Sequence, residues 1–347
     1  MVQLMRSIVI TFLFEIMALR VCQCCIRRVH PEPTVTQVTS PVMHGEGPHW
    51  DIETQTLLFV DIAGKLVNRY DPATKRVTHA KLGGAVSIVI PLNGSNSQKF
   101  ITTRGHDIVL LNWNHENATF DTETNGHNVT VITSVETKMC GNRWNDGKAD
   151  AMGRLWAGTI GPEPQVGHVL PLRASFYLLD RNDTYASAQV KNVSISNGLV
   201  WNEDSSLLYY IDTATYQVDV FDYDMELGKI YNRRKVFNLR ENGIAGFPDG
   251  MTMDNKGTLW VACFNGGQVI NIDPVSGSFI RKVAIPASRV TSVMFGGPNL
   301  DVLYVTTSRY QLTEEELAEQ PLAGSVFAVR GLGVRALKPA YNVVRIE

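Results

Sequence analysis

The chain has 347 residues, 44% of them hydrophobic and 19% charged, with a formal net charge of −2. That is enough apolar content for a large core and is ordinary for a soluble globular protein, which excludes disordered, collagenous and low-complexity classes. A near-neutral balance with no basic patch argues against nucleic acid as the main partner.

Residues 1–30 stand apart. Arg6 precedes an apolar run from Ile8 to Leu19, and Arg20 closes it. This is the layout of a secretory signal peptide, and it is far shorter than a bilayer span. Glu15 interrupts the run and no small-x-small cleavage site follows, so an N-terminal extension without a targeting role is the alternative. Five Asn-X-Ser/Thr sequons, at Asn93, Asn117, Asn128, Asn182 and Asn192, point the same way, since such asparagines accept glycans on secreted chains. The expectation is a secreted protein that leaves the membrane once the segment is removed, with a cytoplasmic protein as alternative. Only Cys140 and Cys263 lie beyond the N-terminal segment; Cys263 sits in an apolar run and is expected as a buried thiol.

From residue 31 to residue 347 one domain is expected, because one pattern repeats. Short apolar runs begin at Leu57, Lys99, Leu155, Leu207, Leu259 and Val302, so their starts are spaced by 42, 56, 52, 52 and 43 residues. Strand-based units of about 40–50 residues are the signature of a β-propeller with four strands per blade. Six units predict an all-β, six-bladed β-propeller.

The units follow in order. Residues 41–80 hold Glu46 in Gly45-Glu46-Gly47-Pro48 and the run from Leu57 to Ile62. Residues 81–135 are the least regular; His106, His115 and His127 lack ligand spacing and are expected on the surface. Residues 140–180 open with Arg143-Trp144-Asn145-Asp146-Gly147-Lys148 and continue into a long loop carrying Glu163. Arg143 and Asn145 are two apart and face the same way on an extended segment. They read as a substrate clamp, or as part of an Arg–Asp pair that fixes the loop. Residues 185–232 hold Ser196-Asn197-Gly198-Leu199, and residues 240–280 hold Phe247-Pro248-Asp249-Gly250-Met251. In residues 285–335, Thr313 to Glu319 reads as a short solvated helix, and the closing blade is a candidate to borrow a strand from the N-terminal side.

Each apolar run has a polar residue ten to twelve positions before it: Glu46, Ser87, Asn145, Asn197, Asp249 and Ser292. Equivalent positions of successive blades form a ring about the propeller axis. The phase therefore brings Glu46, Asn145, Asn197 and Asp249 together, an all-oxygen set suited to a hard divalent cation. Taken singly, Asn-Gly and Asp-Gly read as turn dipeptides.

These motifs, together with Tyr209-Tyr210-Ile211-Asp212, Leu259 to Gly267 and Gly331-Leu332-Gly333-Val334, cover about residues 42–340. The chain resembles the regucalcin and gluconolactonase family (senescence marker protein–like), which includes the insect luciferin-regenerating enzymes. The resemblance implies a six-bladed propeller with one divalent cation (Ca²⁺, Zn²⁺, Mg²⁺ or Mn²⁺) held by Glu46, Asn197 and Asp249. It implies substrate contacts at Arg143, Asn145 and Glu163, and hydrolysis of small sugar-type lactones by a monomeric enzyme in which Asp249 is catalytic and carries the proton. A hydrolase of another substrate, such as an oxyluciferin-type nitrile, and a secreted calcium-binding protein are the alternatives; Trp144 near the mouth would suit an aromatic substrate.

Overall fold

The computed structural model describes residues 32–95, 98–114, 119–121, 128–164 and 168–344. The basic-then-apolar N-terminal segment, Asn117, His115 and His127 lie outside the described residues. From Pro33 on, the chain forms one compact unit.

Six antiparallel sheets are arranged as the blades of a propeller. Their innermost strands are Gly45–Asp51, Val89–Pro91, Arg143–Ala149, Ser196–Trp201, Phe247–Met253 and Arg289–Gly296. The six apolar runs expected from the sequence form the second strand of each blade, from Thr56–Asp61 in the first to Val302–Ser308 in the last. The first blade gains a fifth strand, because Thr119–Asp121 from the second unit pairs parallel with Arg76–Lys81. The last blade takes its outer strand from the other end of the chain: Thr34–Gln37 pairs antiparallel with Phe327–Arg330. Glu314–Glu319 is a helix with a Thr313 capping box and no buried residue.

The core is divided among the blades. Its six apolar clusters each lie between two neighbouring sheets. Leu58, Val60, Phe100 and Val109 fill one such layer and Trp260, Val290, Phe295 and Val305 another. A second strand is therefore covered on both faces by adjacent layers. That is why Leu57-Leu58-Phe59-Val60 and Leu259-Trp260-Val261-Ala262 run apolar without the alternation of a half-exposed strand.

At the far end of the channel the chain tightens its hairpins with buried acids. Asp150 accepts from Arg154 Nε (2.7 Å), Trp156 Nε1 (3.0 Å) and the Tyr223 hydroxyl (2.7 Å). Asp254 accepts from Trp260 Nε1 (2.9 Å) and Thr258 Oγ1 (2.7 Å) at the same place two blades on. The C-terminal segment then crosses this end. Asn255 N donates to Arg335 O, Val343 N to Pro91 O and Val344 N to Gly153 O, and the His49 ring meets the Asn342 side chain at 3.2 Å. The strap covers one end of the channel and leaves access from the other.

Asp150 and Arg154 are buried and bonded to each other, so removing one leaves the other charge buried and unpaired. Asp150→Ala is expected to lower unfolding free energy by about 3–5 kcal/mol, measured by urea denaturation. A loss below about 1 kcal/mol would show that the network holds nothing together.

Candidate functional site

The polar residues of the predicted ring do not sit in turns. All but Ser87 lie in an innermost strand where the pairing slips. Register shifts fall between Glu46 and His49, between Trp144 and Gly147, between Asn197 and Leu199, between Pro248 and Met251, and between Val290 and Ser292. The turn-dipeptide expectation is thus corrected: these are β-bulges, which re-aim side chains next to sites. The glycines that follow Asn197 and Asp249 answer to crowding. A Cβ on Gly198 would lie 2.6 Å from the Asp249 carbonyl oxygen, and one on Gly250 would overlap Ser292.

Buried at the axis are Glu46, Asn197 and Asp249, each with 7% of its surface exposed or less. The Asn197 amide is fixed from two sides. Its Nδ2 donates to Thr213 Oγ1 (2.7 Å), which donates on to Pro248 O (2.8 Å), and its Oδ1 accepts from Asn145 Nδ2 (3.0 Å). Asn145 is held in turn by Arg143, whose Nη1 donates to Asn145 Oδ1 at 2.8 Å and to Trp144 O at 2.9 Å. Arg143 therefore organises the asparagine through its side-chain oxygen. Its guanidinium lies within electrostatic reach of Glu163, Glu46, Asp249 and Tyr310. Glu163 is exposed and lines a pocket with Arg143, Pro162 and Cys140.

Two charged side chains escaped the sequence reading. Asp146, the second residue of the bulge in its strand, is buried and faces Glu46 and Asp249 electrostatically. Lys148 reaches across the channel to donate to Met251 O (2.6 Å). The double slip at Asn145-Asp146 is the signal that was available, but from sequence the pair resembles any Asn-Asp turn.

Three acids in one buried place raise one another's affinity for protons. Burial first, and then Asp146, push Glu46 up to about 8. Burial, then Glu46 and Asp146, hold Asp249 well above the usual carboxylate range, and burial raises Asp146 as well. Burial draws Lys148 down to about 8 against the pull of Asp146 and Glu46. Burial, then Arg143 and Arg289, lower His44 to about 3.

Among the described residues, no three His, Cys, Asp or Glu side chains cluster closely enough to cage a metal ion by themselves. The donor chemistry nonetheless fits a hard cation. Two carboxylates and an amide oxygen converge, and neither Glu46 nor Asp249 forms an ion pair among the described residues. Buried carboxylates are otherwise paired or coordinate metals.

Other expectations need correction. Trp144 is 1% exposed, donates its Nε1 to His106 O (2.8 Å) and packs edge-on against Tyr177; it is core, not an aromatic contact at the mouth. His106 is half-buried and bonds Val135 O through Nδ1, so it is a structural residue and not a surface one. Cys140 and Cys263 are both free, Cys263 buried as expected.

The family described as the SMP-30/gluconolactonase/LRE-like region matches residues 44–309. Regucalcin of Homo sapiens is 39% identical over 295 residues, which is 85% of this chain and 93% of that protein. A solved luciferin-regenerating enzyme is 38% identical with a TM-score of 0.82, covering 90% of this chain and all of its own. The calcium-binding protein regucalcin of Agrobacterium tumefaciens shares the fold at 23% identity and a TM-score of 0.76, covering 89% of this chain and 97% of its own.

The shifted acids make the metal-free protein sensitive to pH in a defined direction. Glu46 titrates at 4.5 when unfolded and at about 8 when folded. The stability its protonated form contributes is complete below 4.5 and lost as pH rises through 8. Asp146 and Asp249 act with the same sign. His44 and His49, lowered to about 3 and 4, act below 6.5 with the opposite sign. Between pH 6.5 and 8 the acids are opposed by Lys148, lowered to about 8, which acts only toward the top of this range, so EDTA-treated protein is expected to lose up to about 1.4 kcal/mol per pH unit for each net proton released. Calcium should stabilise it more at pH 8 than at 6.5, because binding displaces protons. Thermal melts of wild type and Glu46→Gln at both pH values test this; a wild-type Tm that climbs from 6.5 to 8 without metal would contradict it.

Proposed function

The chain belongs to the SMP-30/gluconolactonase/LRE-like family, and from that premise we propose that it is a divalent-metal-dependent lactonase acting on small sugar-type lactones. Family membership supports a lactonase-like or calcium-binding function. The observation that carries the narrower reading is the convergence of Glu46, Asn197 and Asp249 at the channel axis, below a mouth lined by Arg143, Asn145 and Glu163.

Glu46 and Asp249 through carboxylate oxygens, and Asn197 through Oδ1, are the groups that would hold the cation. When bound, a divalent cation supplies Lewis-acid polarisation of the lactone carbonyl. The rest of the chemistry falls to the chain. Arg143 offers guanidinium donors, and Glu163 carboxylate acceptors, to the hydroxyl groups of a sugar ring; a hydroxyl-rich substrate is selected by such paired donors and acceptors. Arg143 also holds Asn145 in place, so the mouth keeps its shape before substrate arrives. Water attacks the carbonyl carbon and the C–O bond to the ring oxygen breaks. Asp249 accepts the proton of the attacking water at its carboxylate and returns it to the departing ring oxygen, giving the open-chain hydroxy acid. Burial, then Glu46 and Asp146, raise the proton affinity of Asp249 well above that of an ordinary carboxylate, which favours its taking up a proton.

A second reading keeps the cation and removes the turnover. An oxygen-only donor set with two carboxylates is also what a calcium-binding protein requires. One experiment separates the two: pH-stat hydrolysis of D-glucono-δ-lactone by EDTA-stripped protein resupplied singly with Ca²⁺, Mg²⁺, Mn²⁺ or Zn²⁺, with metal binding followed in parallel by calorimetry. Turnover is expected to vanish on stripping and return with metal. Asp249→Ala is expected to lower kcat by about 10²-fold or more, and Glu163→Gln to raise KM more than it lowers kcat. Folded protein that binds Ca²⁺ but turns over no lactone with any ion would leave the binding reading in its place.

A further inference from the structure

The five sequons have no part in the site, and their distribution over the fold is uneven. All fall between Asn93 and Ser194, and the four whose asparagine is among the described residues lie in the second and third blades of six. Among the described residues, no sequon asparagine lies in the other four blades.

Of the sequon asparagines among the described residues, Asn93, Asn128 and Asn182 lie at the strap end. In the second blade the hairpin after Val89–Pro91 carries Asn93, and Asn93 N donates to Val343 O of the C-terminal strap at 2.8 Å. That strap covers the end of the channel opposite Arg143 and Glu163. Asn128 precedes Val129–Ser134 at the same end, away from the 105–106 hairpin, where Gly105 O accepts from Trp144 N near the mouth. In the third blade Asn182 lies in the hairpin between Ala174–Leu179 and Ser187–Val193. This hairpin is beside the turn whose Gly153 carbonyl accepts from Val344 N, again on the strap side. Asn192 is on the outermost strand of its blade, at the mouth-side end, where Val193 pairs with Ala174 and Ser194 O accepts from Gly161 N; it stands at the rim with φ of 59°.

Exposure selects among them. Asn93, Asn182 and Asn192 have exposed side chains, whereas Asn128 is half-buried and bonded. A glycan is added to the chain as it enters the secretory lumen, so the folded state must then accommodate it; an exposed hairpin or rim does so without loss of packing. A sugar on the outermost strand also screens an open sheet edge from pairing with other chains.

We propose that the protein is an N-linked glycoprotein of the secretory pathway, carrying glycans at Asn93, Asn182 and Asn192. The sugars at Asn93 and Asn182 cover the strap face, and the one at Asn192 stands on the outermost strand, at the rim and away from the channel axis. This rests on the sequons and their placement, not on the lactonase reading, and stands or falls separately from it.

The test uses the full chain with its own N-terminal segment, expressed in cultured mammalian cells. Intact mass is measured before and after peptide:N-glycosidase F in 18O-labelled water, and peptide mapping locates each converted asparagine. Mass is expected to fall on digestion, with labelled aspartate at positions 93, 182 and 192. The triple variant Asn93→Gln, Asn182→Gln, Asn192→Gln is expected to lose that mass while keeping its folded melting transition and its metal binding. Protein of bare polypeptide mass, in medium or lysate, would overturn the proposal. Labelled aspartate confined to positions 117 and 128 would overturn the placement that carries it.

Discussion

The site depends on how closely six innermost strands approach one another at the axis. Where Ser196–Trp201 meets Phe247–Met253, the backbone of Asp249 leaves no room for a Cβ on Gly198. One strand further, Ser292 leaves none on Gly250. Beside Asn197 and Asp249 no further side chain is therefore admitted, and the neighbouring position is glycine. This steric rule produces Glu-Gly, Asn-Gly and Asp-Gly pairs at matching phase, and it keeps their side chains directed into the channel. The functional residues and their glycines are two consequences of one approach distance.

The blades enforce that approach from outside. Each apolar layer, such as the one formed by Trp156, Phe176, Leu199 and Tyr210, lies between two sheets and ties them together. No blade has a core of its own, so the ring is stable only when closed. Closure comes from pairing Thr34–Gln37 with Phe327–Arg330, and the strap from Arg335 to Val344 then seals one channel end. A low-dielectric surround with one open mouth strengthens every charge interaction at the axis.

Much of this was legible because the repeat is regular. The second strands were visible as apolar runs, since burial between layers removes their alternation. The phase of Glu46, Asn197 and Asp249 survived because the crowding rule fixes it to within a residue or two. What escaped was local in sequence but long-range in cause. Asp146 adjoins Asn145, and only the two-residue slip against Leu155–Ile160 turns both inward. Trp144 looked available at a mouth, yet Tyr177 and the His106 carbonyl from neighbouring strands enclose it. His106 looked exposed in an irregular unit, yet its ring is bonded to Val135. The fifth strand of the first blade comes from the second unit, a crossing that no period reveals. Sequence phase reports what the repeat shares, and these departures belong to single blades.

Charge balance explains why the ring suits a cation. Glu46, Asp146 and Asp249 share one buried space with Arg143 and Lys148. Neither base reaches Glu46 or Asp249 with an ion pair, since Arg143 bonds Asn145 and the Trp144 carbonyl, and Lys148 bonds Met251 O. The two bases are used to hold strands and the asparagine in position, and they moderate the acids from a distance. Protonation is the only relief the chain itself offers, and it appears as the raised Glu46 and Asp249. A divalent ion would relieve the same repulsion without neutralising the carboxylates, which returns Asp249 to the ionised form that can accept a proton. The acids' unrelieved repulsion is thus the physical link between a crowded axis and the proposed hydrolytic chemistry.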